Sequence, residues 1–168
     1  MKPVIRPARL ADIPRMQEIE NDAGGLFEGW GLVDFDDLAV VHMSEHVDSI
    51  VAGLSFIAET NGRAAGFVMG VMYGDDAYLH ELDVERASQK KGLGAALVWA
   101  FIDAARAKHA DTVYLSTFRD PPWNAPFYAR LGFREVARSN YLPWMTEIET
   151  QQAQFLDIRT RVFMCLAL

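Results

Sequence analysis

The chain has 168 residues, 51% of them apolar, which is enough to bury one sizeable core and too little for two ordinary domains, so a single domain over 1–168 is expected. Sixteen Lys and Arg against 23 Asp and Glu leave a net charge of −7, which disfavours a nucleic-acid partner and suits a cationic one. The one cysteine, Cys165, can build neither an internal disulfide nor a cysteine metal cluster, and no metal is expected. Met1-Lys2-Pro3-Val4-Ile5-Arg6 puts charge and proline where an export signal needs an apolar run, and no stretch reaches membrane-spanning length; a cytoplasmic protein without a membrane partner is expected.

In chain order, residues 4–8 read as a strand, and Asp12-Ile13-Pro14 opens a helix with Asp12 as its cap and Ile13, Met16 and Ile19 as its buried stripe. Gly24-Gly25, Gly29 and Gly31 break that helix around Phe27 and Trp30, and a flexible aromatic connection leads to a second helical pattern of Met43, Val47, Ile50, Val51 and Leu54. Strands at 56–60 and 64–73 flank Asn61-Gly62, the pair that most readily takes positive φ at both centres of a type I′ hairpin turn. Gly74-Asp75-Asp76 turns the chain into a strand at 77–84. Leu93, Leu97, Val98, Phe101, Ala104 and Ala105 then mark one helix face, and 112–118 is the next strand. A helix from about 124 to 130 ends at Gly132, a strand starts in 133–137, and 161–168 is the last; 139–160 reads as a loop with a short helix. Strands first, then strand and helix in alternation, indicate an α/β (α+β) chain with a mixed sheet and helices on both faces.

Chemistry concentrates at Gln89-Lys90-Lys91-Gly92-Leu93-Gly94, where a strand passes into a helix whose first N–H groups are unpaired and whose dipole favours an anion. Gly92 and Gly94 permit close backbone approach and Lys90 and Lys91 add positive charge, which suits a pyrophosphate; by itself, a plain strand-to-helix turn accounts for the pattern equally. In the preceding strand the apolar positions are 79, then 82 and 84, a slip of the two-residue alternation that signals a β-bulge. A bulge frees main-chain groups for the amides of an extended ligand such as a pantetheine arm, and for the oxygen of a thioester under attack. Downstream, Asn124 and Tyr128 stand on one face of a short helix that runs into Gly132-Phe133.

The Gln89-to-Gly94 run, the Asn124-to-Phe133 segment and the order of elements together resemble the GNAT acetyltransferase superfamily, specifically from about residue 79 to 133 and as an element order from 5 to 168. The resemblance implies a mostly antiparallel central sheet of six to seven strands with a bulged fourth strand. It also implies acetyl-CoA as co-substrate and direct acetyl transfer to a primary amine, with neither metal nor covalent acyl-enzyme. Leu82, Asp83 and Val84 would lend backbone to pantetheine. Gln89, Lys90, Lys91, Gly92, Leu93, Gly94 and Ala95 would hold the pyrophosphate, and Asn124, Phe127 and Tyr128 would flank the reactive end.

An alkylammonium with a pKa near ~10.4 is almost wholly protonated at neutral pH, so a base is needed. Glu81, beside the bulge, is the candidate, through a water; a structural or substrate-binding carboxylate is the competing role, and His80 is the alternative base if the bulge separates the two. Tyr128 would protonate the departing thiolate, or be a core aromatic; Asn124 would meet the cofactor or cap its helix; Lys90 and Lys91 would meet phosphate or water. Phe27, Trp30, Tyr73, Tyr141 and Trp144 are candidates for an acceptor pocket with Glu81, or for packing, and Glu18, Glu20, Asp22 and Glu28 for attracting a cation, or for solvation. Aromatic loops favour a small-molecule amine acceptor over a protein or peptide one. A non-catalytic acyl-CoA sensor is the alternative from another class, disfavoured by having both Glu81 and Tyr128. A dinucleotide-binding Rossmann protein is disfavoured because the glycine loop follows several antiparallel strands. The terminal strand is apolar on both faces, which fits a central position or the covered edge of a homodimer.

Overall fold

Among the described residues, alternation of apolar side chains builds a single sheet from seven strands: β1 (Val4–Pro7), β2 (Ser55–Thr60), β3 (Arg63–Tyr73), β4 (Asp76–Val84), β5 (Thr112–Phe118), β6 (Arg134–Glu135) and β7 (Arg161–Ala167). The computed structural model describes residues 3–34 and 40–168; the expectations that fall on 1–2 and on 35–39, within the connection read as flexible, lie outside the described residues. The strand order is β1-β2-β3-β4-β5-β7-β6, with β4–β5 parallel and the other pairs antiparallel. Asn61 and Gly62 have φ of 53° and 74°, the positive pair that the β2–β3 hairpin needs. β7 lies between β5 and β6, so its two apolar faces reflect a central position, and the homodimer edge loses the observation it stood on.

Helices cover both faces. On one, α3 (Leu93–Ala107) and α4 (Ala125–Arg130) bury Leu97, Phe101 and Tyr128 against Val68, Leu79, Leu115 and Met164. On the other, α1 (Ile13–Gly24) puts Met16 and Ile19 on Ile57, Phe67 and Met69, and α5 (Pro143–Gln152) puts Met145 on Tyr78 and Phe163. Side chains as large as Phe101 and Phe67, fully withdrawn from water, each contribute on the order of 1.5–3 kcal/mol.

Two local expectations change and a third gains its bounds. The Asp12 carboxylate does not cap α1: it accepts from the Arg9 N–H and pairs with Arg6, closing a 3-10 turn over Leu10–Asp12 that precedes the helix. The next helix, α2 (Met43–Val51), buries His46 and Ser49 and leaves Met43 and Val51 57% and 79% exposed, so its inner face is rotated from the apolar stripe. Ser49 tolerates this because its hydroxyl donates to the Leu54 carbonyl and accepts from the Gly70 N–H. Finally, 139–160 holds a ten-residue helix, α5, opened by Pro143.

Two irregularities in the sheet position the site. Met69 pairs with Glu81 and Gly70 with Leu79, which leaves His80 as the extra residue of a bulge in β4. Opposite it only glycine fits: a Cβ on Gly70 would stand 2.2 Å from the Tyr78 carbonyl oxygen and 2.5 Å from the Phe101 ring. Farther along, β4 and β5 pair only from Asp76–Thr112 to Leu79–Leu115 and then part.

Candidate active site

Where β4 and β5 part, a cavity of about 660 Å³ opens. Glu85 donates its N–H to the Ala65 carbonyl, and with Asp83 opposite Phe67 and Glu81 opposite Met69 the ladder to β3 uses the odd-numbered residues. The main-chain groups of Leu82 and Val84 therefore turn toward the cavity. The Val84 carbonyl already accepts from Gln89 Nε2 at 3.0 Å, so Gln89 closes one end of that open edge. Next comes the start of α3. Gly92 has a φ of 83° and the preceding Lys90 one of 59°, and the first-turn N–H groups of Leu93, Gly94 and Ala95 have no acceptor within the helix. Lys90 lines the cavity, whereas Lys91 donates its Nζ to the Ala87 carbonyl at 2.9 Å and does not.

α4 supplies the facing wall. The Phe127 ring reaches 3.5 Å from where a Gly94 Cβ would stand, and Tyr128 is buried between Phe127 and Phe133, with ring centroids 5.0 and 5.8 Å away. Burial first, then the Glu81 and Asp83 carboxyls, push the Tyr128 phenol above its ordinary range, so it stands as a neutral donor. Asn124 occupies the N-cap position without making the cap bond. Its Nδ2 instead donates to Thr117 Oγ1 at 2.9 Å, and its Oδ1 is buried with no partner.

Across the sheet, on the α1 face, Glu81 and Asp83 stand two residues apart and within reach of each other. Burial raises both; His80 and Arg161 hold Glu81 back, while Glu81 and Glu20 drive Asp83 well above the usual range. Both carboxyls are thus held toward the neutral form, Asp83 the more strongly, and Asp83 Oδ2 is buried without a partner. Glu20 of α1 joins them: burial and then Glu81 push it up to about 8, its Oε1 accepts from the Val41 N–H, and its Oε2 is buried without a partner. Arg161, the first residue of β7, completes this end, with its guanidinium 4.5 Å over the Phe118 ring.

The remaining candidates separate. His80, the bulged residue, lines the cavity with its Nδ1 3.8 Å from Glu45. Phe27 lines it too, packed on Phe118 at 5.2 Å and Trp123 at 5.9 Å; Trp30 stands one layer back, edge-on to Trp123 at 5.3 Å. Tyr73 is not at the cavity: it stacks on Trp144 at 4.7 Å, because it ends β3 on the far side of the bulge, and Tyr141 packs on Phe163 in the same cluster. Glu18 pairs with Arg15 and Asp22 with Arg86, Glu28 is exposed, and of the four only Glu20 reaches the cavity. Sequence reasoning missed Arg161, Trp123 and the Asp83 carboxyl. Arg161 had a weak signal, a lone charge opening an apolar strand, and Asp83 had only its two-residue spacing from Glu81.

No group of three metal-ligating side chains occurs among the described residues, and no helix there is long and apolar enough to cross a membrane. A sequence model of the acetyltransferase (GNAT) family matches residues 15–133. The chain belongs to this family. Among GNAT relatives, the ribosomal protein bS18-alanine N-acetyltransferase of Escherichia coli is 32% identical over 91 residues, 54% of this chain and 62% of that protein, so the chain matches less than two thirds of its length. An amino-acid acetyltransferase of Mycobacterium tuberculosis is 24% identical over 169 residues, 99% of this chain and 86% of that one. The PaiA N-acetyltransferase of Thermoplasma acidophilum, solved with coenzyme A, shares the GNAT fold over 100% of both chains, with a TM-score of 0.73 and 14% identity.

Proposed function

We propose that this GNAT chain is a single-domain N-acetyltransferase that moves the acetyl group of acetyl-CoA directly to a primary amine, with a small molecule as acceptor. The observation that carries this reading is the cavity itself, which runs from the open helix start on the α3 face to a buried carboxyl pair on the α1 face. Acetyl-CoA supplies an activated acyl group as a thioester, and the residues present fit it. The left-handed Gly92 turns the first N–H groups of α3 outward for a pyrophosphate, with Lys90 beside them, and the space over Gly92 is open. The inward main chain of Leu82 and Val84 suits an arm that carries amides, and the orphaned Asn124 Oδ1 lacks a donor that such an arm has.

At the other end Glu81 takes the ammonium proton through a water, and Asp83, the more strongly raised of the two, favours the Glu81 carboxylate. A main-chain N–H of the open β4 edge would stabilise the negative charge that develops on the acyl oxygen. Tyr128 gives its proton to the leaving sulfur, which a neutral phenol can do without prior ionisation. Phe27 and Trp123 wall the acceptor end. A cytoplasmic setting belongs to the same reading and rests on a lone free thiol, Cys165. A protein N-terminus as acceptor is the second reading, favoured by the 32% identity to the bS18-alanine enzyme.

Release of thiol from acetyl-CoA on addition of an amine tests the proposal. We expect Tyr128→Phe to lower turnover about 100-fold with acetyl-CoA affinity nearly unchanged. Equal turnover would remove Tyr128 as the acid, and no release with any amine, small or peptidic, would contradict the function.

A further inference from the structure

Arg161 is the residue the acetyl-transfer chemistry leaves unused. It opens β7 opposite Phe118, and alternation with Val162 and Phe163 places its side chain on the sheet face that carries Glu81 and Asp83, away from α3. Its guanidinium lies deep in the cavity wall, stacked over Phe118, with Nη2 donating to Ser116 Oγ at 3.1 Å and Nε cut off from solvent without a partner. No carboxylate among the described residues stands within ion-pair distance of it. A withdrawn cation with an empty hydrogen-bond donor is costly to hold, and the Arg–carboxylate pairs among the described residues are at the surface or part-buried. Nor can the pyrophosphate be its partner, since the anion site proposed for it lies at the start of α3 on the opposite face.

The acceptor end of the cavity thus carries two kinds of charge. Glu81 suits an ammonium, and Arg161, with a planar fork of donors, suits a carboxylate. We infer that Arg161 seats a carboxylate of the acceptor, so that the substrate is a free amino acid and not a plain amine or a peptide N-terminus. This rests on the proposed acetyl transfer and names its substrate class. An amine without a carboxylate leaves the guanidinium unpaired in the closed complex, and a peptide N-terminus presents an amide there, which cannot neutralise it. Arg161 acts on binding and not on the bond being made, so its removal raises KM more than it lowers kcat.

The test uses thiol release from acetyl-CoA with the free L-amino acids, their α-carboxamides, and simple alkylamines and alanine-initiated peptides for comparison. The pairs aspartate–asparagine and glutamate–glutamine tell a side-chain carboxylate from the α-carboxylate. We expect at least one amino acid to exceed its amide at least ten-fold in kcat/KM, through KM. Arg161→Gln should bring that ratio close to one, and Arg161→Lys should keep part of it. Calorimetric binding of acetyl-CoA to each variant confirms that the fold survives. Amides used as well as acids, a peptide or alkylamine preferred, or a ratio that Arg161→Gln leaves intact would overturn the carboxylate seat while sparing acetyl transfer. Acetyl-CoA binding with no amine acetylated would overturn it too, and absence of acetyl-CoA binding would take acetyl transfer down with it.

Discussion

Glu81 and Asp83 show how a single residue acquires a role from its neighbour. Either carboxyl alone in that wall would rise by desolvation; together, Glu81 drives Asp83 further up while Asp83 favours the Glu81 carboxylate. On the proposed function, that makes Glu81 the member of the pair placed to receive the proton of an ammonium. Glu81→Gln is therefore expected to cost about 100-fold in rate at pH 7 and to recover part of it as pH rises, because the acceptor then loses its proton to solvent. A loss of equal size across the pH–rate profile would count against the base. Local chemistry of this kind was half visible in the sequence: Glu81, Tyr128 and the glycines of the 89–95 loop were singled out by type and spacing. Arg161 was not, because what makes it informative is that no carboxylate among the described residues pairs with it, and partners come from elements far apart in the chain.

Among the elements, β4 and its two neighbours decide whether a site exists. The bulge was legible as a slip between Leu79 and Leu82, and the structure assigns the extra residue to His80. The hairpin at Asn61-Gly62 was legible for the same reason, that turn chemistry and alternation act over a few residues. The inner face of α2 was not, since His46 and Ser49 are polar residues whose burial depends on what α2 packs against, and α5 was faint because its Thr, Glu and Gln residues hide a short apolar stripe. Tyr73, aromatic like Phe27, fell at the wrong end of its strand. Opposite the bulge, Gly70→Ala must push a methyl group into the Tyr78 carbonyl and the Phe101 ring. We expect a loss of about 3 kcal/mol in urea-induced unfolding, with acetyl-CoA binding weakened because the edge of β4 shifts. An unchanged unfolding midpoint would show that the close approach at Gly70 is not required.

At the scale of the molecule, the sheet separates two tasks. On the proposed function, α3 and α4 supply the anion site and the acid on one face; α1, β4 and β7 collect the carboxyls and Arg161 on the other, and the parting of β4 from β5 joins them. The negative net charge is consistent with this division, since the positive potential for the pyrophosphate comes from backbone N–H groups and a helix dipole, with little call on lysine. The most direct measurement is a calorimetric titration of the protein with acetyl-CoA beside Gly92→Glu, which puts a negative charge into the α3 loop, and Gly92→Ala, which brings the same left-handed backbone strain without charge. Binding that Gly92→Ala largely keeps and Gly92→Glu abolishes is the predicted result; a parent protein that does not bind acetyl-CoA would contradict it.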